Sequence, residues 1–367
     1  MKILLINTVP TEKNGITNVI FNYLRNIDRK EMTFDYLSIN EPETSYRDEV
    51  EKYGGRMFVL PRLEMGVLSY WNALRKLINR NGYDAVHVHG NSHTLVLELS
   101  AARAAGCKVR IVHSHNTTSL NPLLHKILFP EFNLLYTHAL ACGEDAGRWM
   151  FGFRSYMVIN NGVDTRKFSF DKEKRKSIRQ QLFISDEKIL IGNVGHFYGK
   201  VKNQSFVVSV FNELLKKSNR YKLCLIGDGP QRKDVERQVG EYGLSDKVIF
   251  TGNINNVDEY LCAIDLIVMP SLYEGLPLTL IEQQACGLHC VVADTITKEA
   301  DKTGNLKFLS LELPVKEWAN CIEKNEWGID REKISKEAIE KITEAGYNIT
   351  VEADKMRKVY ESINKKS

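Results

Sequence analysis

Two glutamates eight positions apart, Glu274 and Glu282, sit in the run Met269-Pro270-Ser271-Leu272-Tyr273-Glu274-Gly275-Leu276-Pro277-Leu278-Thr279-Leu280-Ile281-Glu282. The apolar residues before Glu274 read as a buried strand, and those after Pro277 read as a helix. Proline is tolerated in a first helical turn, so the spacing predicts a helix opening near Gly275-Leu276 with Glu282 two turns in. Two carboxylates so placed accept hydrogen bonds and suit sugar hydroxyls. The same residue types also suit a cap at Glu274 and a solvent-facing Glu282, and the spacing leaves both open.

A cation and several glycine turns accompany them. Val194-Gly195-His196-Phe197 closes one strand pattern, and Lys202-Asn203-Gln204 opens the next helix, where the ammonium would face phosphate. Gly227-Asp228-Gly229-Pro230 and Phe250-Thr251-Gly252-Asn253 close two more strands. Near the start, Asn14-Gly15-Ile16 leads into a helix. A glycine there lets backbone N–H groups approach a phosphate, although a plain surface turn uses the same residues.

Four histidines form a second constellation. His87-Val88-His89 and His113-Ser114-His115 each end a strand pattern. Residues two apart on a strand share a face, so the imidazoles converge. They are read as hydrogen-bonding groups for sugar hydroxyls or a developing charge, with two of the four open to a packing role. Zinc is the competing chemistry. No carboxylate or thiolate in the sequence completes a tetrahedral set, so no metal is expected.

These residues need strand ends to hold them. Short β-branched runs alternate with amphipathic stretches from Ile3-Leu4-Leu5-Ile6 onward, and the pattern restarts after residue 186 with Ile189-Leu190-Ile191. That alternation predicts two α/β units with parallel sheets covered on both faces. The boundaries are placed at 1–168 and 169–349, with a last helix at about 350–367 returning to the first unit. Two such domains facing across a deep cleft would bring the strand ends to one site. The charged run Phe170-Asp171-Lys172-Glu173-Lys174-Arg175-Lys176 reads as a linker or an exposed helix.

Composition is that of a globular protein: 367 residues, 43% hydrophobic, 26% charged, net charge +4. The charge does not call for nucleic acid. No run approaches the ~20 apolar residues of a membrane span, so a cytoplasmic protein is expected, at most peripheral at the inner face of the membrane. Leu123 to Phe129 is a partly basic apolar stretch with two readings, a buried helix or a membrane contact. The seven scattered cysteines read as reduced thiols, with Cys286 and Cys290 in the core.

The glutamate run resembles the E-x7-E signature of retaining glycosyltransferases of family 4, which have the GT-B fold. Asn160-Asn161-Gly162-Val163-Asp164 resembles that family's N-G-V-D segment, and the glycine turns above match its nucleotide-domain turns in order. The resemblance covers nearly the whole chain and is nearest to members that build capsule or exopolysaccharide. It implies a hexose or N-acetylhexosamine moved from a nucleotide-sugar, a UDP-sugar, to a saccharide or polyprenyl-diphosphate-linked acceptor. It implies that Glu282 holds the ribose hydroxyls and Glu274 the donor sugar. Gly275 and Leu276 cradle the diphosphate, Lys202 neutralises it, and Gly15 lets the opposite loop close. Gly252 and Asn253 lie near the base. His115 lies close to the transferred sugar, with His89 and His113 nearby on the acceptor side. Fixed donors and a lysine stabilise the leaving group without metal or cofactor.

One residue departs from the family: arginine is usual where this chain has His196. Either Lys200 compensates, or diphosphate binding weakens, or the chain is a specialised or degenerate member. The departure keeps alive a non-catalytic nucleotide-sugar-binding partner of another transferase. A GT-B epimerase or phosphorylase is a further alternative, the latter lacking a pyridoxal phosphate lysine signature. A dinucleotide oxidoreductase is disfavoured because no G-x-G-x-x-G follows the first strand.

Overall fold

The computed structural model describes residues 1–324 and 330–364. The chain divides into two compact units, 1–162 with 349–367, and 163–348. In the first unit, the described residues form one parallel sheet. Its strands are β1 (Lys2–Asn7), β2 (Thr33–Ser38), β3 (Met57–Val59), β4 (Ala85–Gly90), β5 (Val109–Ser114), β6 (His138–Ala141) and β7 (Met157–Val158). They run in the order β3-β2-β1-β4-β5-β6-β7. The second unit holds β8 (Ile189–Val194), β9 (Tyr221–Ile226), β10 (Val248–Gly252), β11 (Leu266–Met269), β12 (His289–Ala293) and β13 (Leu306–Leu309). Their order is β10-β9-β8-β11-β12-β13. Each unit is therefore a Rossmann-like domain, and each order reverses once, between β1 and β4 and between β8 and β11. Such reversals leave a crevice at the carboxyl ends of the strands, where ligands bind in open α/β sheets.

The strands lie on the pattern that identified them. Leu4, Ile6, Val86, Val88 and Val112 pack with Leu74, Leu99 and Phe132 from helices in the first core. In the second unit both sheet faces are covered: Leu190, Cys224, Ile267 and Cys290 pack one side, and Ile191, Leu223, Val268 and Val291 the other. Burial on both faces is why these strands read as continuous apolar runs.

Several expectations need correction. Residues 163–168 join the second unit, because Val163 bridges to Asn348 and its N–H donates to the Tyr347 carbonyl. The last helix is Ile349–Asn364, and 365–367 lie outside the described residues. Of the two readings of the charged run, the structure has the exposed helix and not the linker. The run forms the first half of the helix Lys172–Gln181, capped by the Asp171 carboxylate. Lys174 pairs with Asp258 at 2.6 Å, Arg175 with Asp265 at 2.6 Å, and buried Arg179 with the same Asp265 at 3.1 Å. The partners are more than eighty residues away, beyond the reach of any local pattern.

Leu123 to Phe129 is not a buried helix. It spans the end-to-end helices Pro122–Ile127 and Phe129–Leu135. Leu123 is 69% exposed and Ile127 63%, while His125 is the residue turned inward, stacked on Trp149. Cys286 and Cys290 are buried as expected, and Cys286 lies 3.8 Å from the Cys262 sulfur.

Candidate active site

In the second unit the β8 and β11 ends carry the predicted cation and carboxylate. Lys202 Nζ donates to Glu274 Oε1 at 2.5 Å, both side chains being mostly buried. The surrounding loops are fixed by contacts that sequence reasoning missed. Asn203 takes a left-handed conformation, φ +53°, before the helix Gln204–Leu215, and its amide donates to the Pro270 carbonyl at 3.2 Å. The Gln204 amide donates to the His196 carbonyl. The Leu272 N–H donates to the Val201 carbonyl, and Thr295 Oγ1 donates to the Ser271 carbonyl. The two loops at the switch point are thus tied to each other before any ligand arrives. Asn203 was visible only as one of the few residues that enter the left-handed region readily.

The helix after Glu274 begins at Leu278, with Pro277 as its N-cap in extended conformation. It starts later than the spacing predicted, because proline biases the residue before it away from helix. Glu282 therefore sits in the second turn, not two full turns in. Its carboxylate is half-buried, and burial pushes its pKa up to about 8, against the pull of Lys167 and with the push of Asp258. The Gly275 and Leu276 N–H groups take no part in the backbone hydrogen bonds of this turn. They lie just ahead of the helix N-terminus, where N–H groups favour an anion.

The glycine turns are close backbone approaches. Gly227 has φ +130°, and a Cβ there would lie 2.2 Å from the Gly195 carbonyl oxygen; one on Gly229, φ +152°, would lie 2.5 Å from that of Phe197. The β8 and β9 ends are therefore locked together through these glycines. Gly252 has φ +69°, its carbonyl accepts from the Gly227 N–H, and Asn253 beside it is exposed. His196 is exposed and so is Lys200.

In the first unit, Asn14 caps the helix Gly15–Asn26, its side chain accepting from the Thr17 N–H at 3.0 Å. A Cβ on Gly15 would meet nothing within 4 Å, so internal packing does not demand a glycine there. At the β1–β4 switch point, Thr8 Oγ1 donates to the His89 carbonyl at 2.7 Å.

The four histidines do converge. His89 Nδ1 lies 2.9 Å from His115 Nε2, and the His113 and His115 rings are 4.3 Å apart. His87, His89 and His113 are buried, and His115 is the half-exposed ring at the strand end. Burial holds His115 down to about 4, opposed by the neighbouring Asn161 amide. It holds the other three well below the ordinary histidine value, with like-charge neighbours adding to the effect. All four rings are therefore neutral at pH 7. His89 and His113 are buried, out of direct reach of a sugar from solvent. Neither the sequence nor its spacing revealed that Tyr360 would meet this cluster: its hydroxyl lies 2.6 Å from His87 Nδ1.

Comparison with known proteins decides the family. Residues 13–167 match the family described as Glycosyltransferase Family 4, and residues 174–307 match Glycosyl transferases group 1. EpsF of Bacillus subtilis (strain 168), which carries a glycosyltransferase name, is 35% identical over 325 residues, 84% of each chain. This chain belongs to glycosyltransferase family 4. A second relative of this glycosyltransferase is the Escherichia coli UDP-Gal:alpha-D-GlcNAc-diphosphoundecaprenol alpha-1,3-galactosyltransferase, 27% identical and covering 69% of each chain. The crystal structure of Anabaena HepE in complex with UDP superposes with a TM-score of 0.76 at 17% identity, covering 99% of this chain and all of that one. The transferase thus has the GT-B pair of Rossmann-like domains. Among the described residues no helix is long and apolar enough to cross a membrane.

Proposed function

We propose that this glycosyltransferase moves a hexose or N-acetylhexosamine from a UDP-sugar, with retention of configuration, to a saccharide or polyprenyl-diphosphate-linked acceptor in exopolysaccharide or capsule synthesis. The observation that carries the proposal is the Lys202–Glu274 pair at the β8–β11 switch point, next to the N–H groups of Gly275 and Leu276, which have no backbone partner among the described residues. Breaking a glycosyl phosphate bond builds negative charge on the diphosphate and positive charge on the sugar. A lysine and oriented N–H groups stabilise the first without proton transfer. An arriving diphosphate draws Lys202 away from Glu274, which frees that carboxylate to accept from sugar hydroxyls. Glu282 takes the ribose hydroxyls, and the Gly252-Asn253 turn flanks the base. From the first unit, Gly15 leaves a bare helix end for the diphosphate, and His115 meets the transferred sugar. His89 and His113 position His115 and do not touch the acceptor.

The donor and acceptor classes are supported by the relatives: the E. coli enzyme is named for UDP-galactose and a diphosphoundecaprenol acceptor, and HepE crystallised with UDP. The exposed Leu123, Leu124 and Ile127 beside Lys126 support contact with the inner membrane face, where lipid-linked acceptors reside. A panel of UDP-, GDP- and ADP-sugars, tested by calorimetry without added metal, checks the reading. UDP-sugar binding lost in Glu282→Ala is the expected result, and a folded protein that binds no nucleotide overturns it.

His196 favours one second reading, a nucleotide-sugar-binding partner without turnover, since an exposed imidazole is shorter than arginine and lacks its fork of donors. UDP binding without transfer to any acceptor, reversed by His196→Arg, would establish it.

A further inference from the structure

The histidine cluster of the first unit has a pattern that packing alone does not explain. His87 and His89 come from β4, and His113 stands opposite His89 on β5 in parallel register. One ring nitrogen from each of the three lies within 4.8 Å of the others, and all three residues are buried. In His87 and His89 the Nδ1 atom has a partner, Tyr360 in one case and His115 in the other. The Nε2 atoms of both have none among the described residues, and His113 has only the Ile159 backbone as a hydrogen-bond partner. Buried polar atoms without partners are rare, and this cluster holds more than one. Metal-binding histidines show this division of labour: one nitrogen is held by an outer hydrogen bond, while the other points inward with a free lone pair.

We propose that His87, His89 and His113 bind a divalent d-block cation of the zinc type, with Tyr360 and His115 as the outer partners of two ligands. Imidazole suits such ions, and zinc–nitrogen bonds of about 2.0–2.1 Å place tetrahedral nitrogens about 3.4 Å apart. Ring rotations would have to bring the nitrogens, now within 4.8 Å of one another, to that spacing. A protein fourth ligand is not needed, since three histidines and a water form a complete set. A cavity of about 20 Å³ lies beside two of the ligands, His87 and His89, and its other walls are mainly apolar, with Leu5, Ile20 and Met356 among them. Bound metal would fasten β4, β5 and the helix Ile349–Asn364 together. It would also fix His89 with its Nδ1–H towards His115, which sets the tautomer of the half-exposed ring. The proposal stands apart from the transferase reading, because metal uptake is measured without turnover.

The test uses the full chain, stripped with chelator and shown to be folded by circular dichroism. Zn²⁺ is titrated against a chromophoric chelator, and Co²⁺ is added in parallel for its visible ligand-field bands. One equivalent of Zn²⁺ and a four-coordinate Co²⁺ spectrum are expected, both lost in His113→Gln and both retained in His138→Gln. Tyr360→Phe should keep the stoichiometry while weakening affinity roughly 10- to 100-fold. Should His113→Gln fail to fold, the ¹⁵N-imidazole spectrum of the unaltered protein decides: Zn²⁺ must shift three of its nine histidine rings. No uptake by the folded protein overturns the proposal, as do full uptake by His113→Gln and shifts confined to exposed His196.

Discussion

The Lys202 ammonium and the Glu274 carboxylate meet at 2.5 Å although 72 residues separate them in the chain. Each neutralises the other in the ligand-free protein. Their separation by a diphosphate leaves the lysine on the leaving group and the carboxylate on the sugar. Lys202→Met should therefore lower kcat/KM for sugar transfer roughly 10²- to 10³-fold. The double variant with Glu274→Gln should lose much less than the product of the two single losses, because both act on one charge arrangement. A double-mutant cycle on kcat/KM checks this, and simple additivity would show that the two groups act separately.

Glu282 gives a pH dependence. Its folded pKa, pushed up to about 8, lies above the ordinary value of 4.5. The free site is thus protonated at pH 7, whereas ribose hydroxyls donate best to the ionised form. UDP affinity should rise with pH towards 8 and level off above it, and Glu282→Gln should flatten that rise. The same shift affects stability. Between pH 4.5 and about 8 the folded state holds a proton that the unfolded state has released, so this group's contribution to stability falls as pH rises through that window. Glu282→Gln should accordingly be more stable than the parent at pH 8, by roughly 1–3 kcal/mol. Thermal melts at pH 5 and pH 8 check the sign.

The glycines separate structural from ligand demands. Gly227→Ala forces a Cβ against the Gly195 carbonyl at a left-handed φ and should cost roughly 2–4 kcal/mol. Gly15→Ala meets no atom of the protein and should leave the melting temperature within a degree or two of the parent. It should still weaken donor turnover at least tenfold, since the added methyl covers the helix end. Melting temperature and turnover measured on both variants distinguish the two roles.

Asp265 anchors the helix that the sequence left open as a linker or an exposed helix. It accepts from Arg175, from Arg179 and from the Leu190 N–H at the start of β8. Asp265→Ala leaves a buried guanidinium without its counter-charge and should destabilise the second unit by roughly 3–5 kcal/mol. Denaturant unfolding followed by tryptophan fluorescence measures it.

The exposed apolar residues on the helix Pro122–Ile127 predict membrane binding. Co-sedimentation with vesicles containing anionic lipid should be lost in the Leu123→Glu, Ile127→Glu double variant, with unchanged transfer to a water-soluble acceptor. Equal sedimentation of both proteins would remove the membrane from the proposed function.

The alternation of β-branched runs with amphipathic stretches was enough to place two parallel sheets, because burial on both faces forces apolar strands and the helices between them. The glycine turns, Lys202, Glu274 and Glu282 were legible for a related reason: tight turns and charges at strand ends restrict residue type locally. What only the tertiary structure decided depends on partners distant in the chain. Asp265 turns a charged run into an anchored helix, and Tyr360 joins His87 across 273 residues. Burial sets the Glu282 pKa and turns three histidines into one cluster with inward nitrogens. Periodicity reports which face of an element avoids water, but the identity of the group packed against that face, and hence its charge state and chemistry, exists only once the chain has folded.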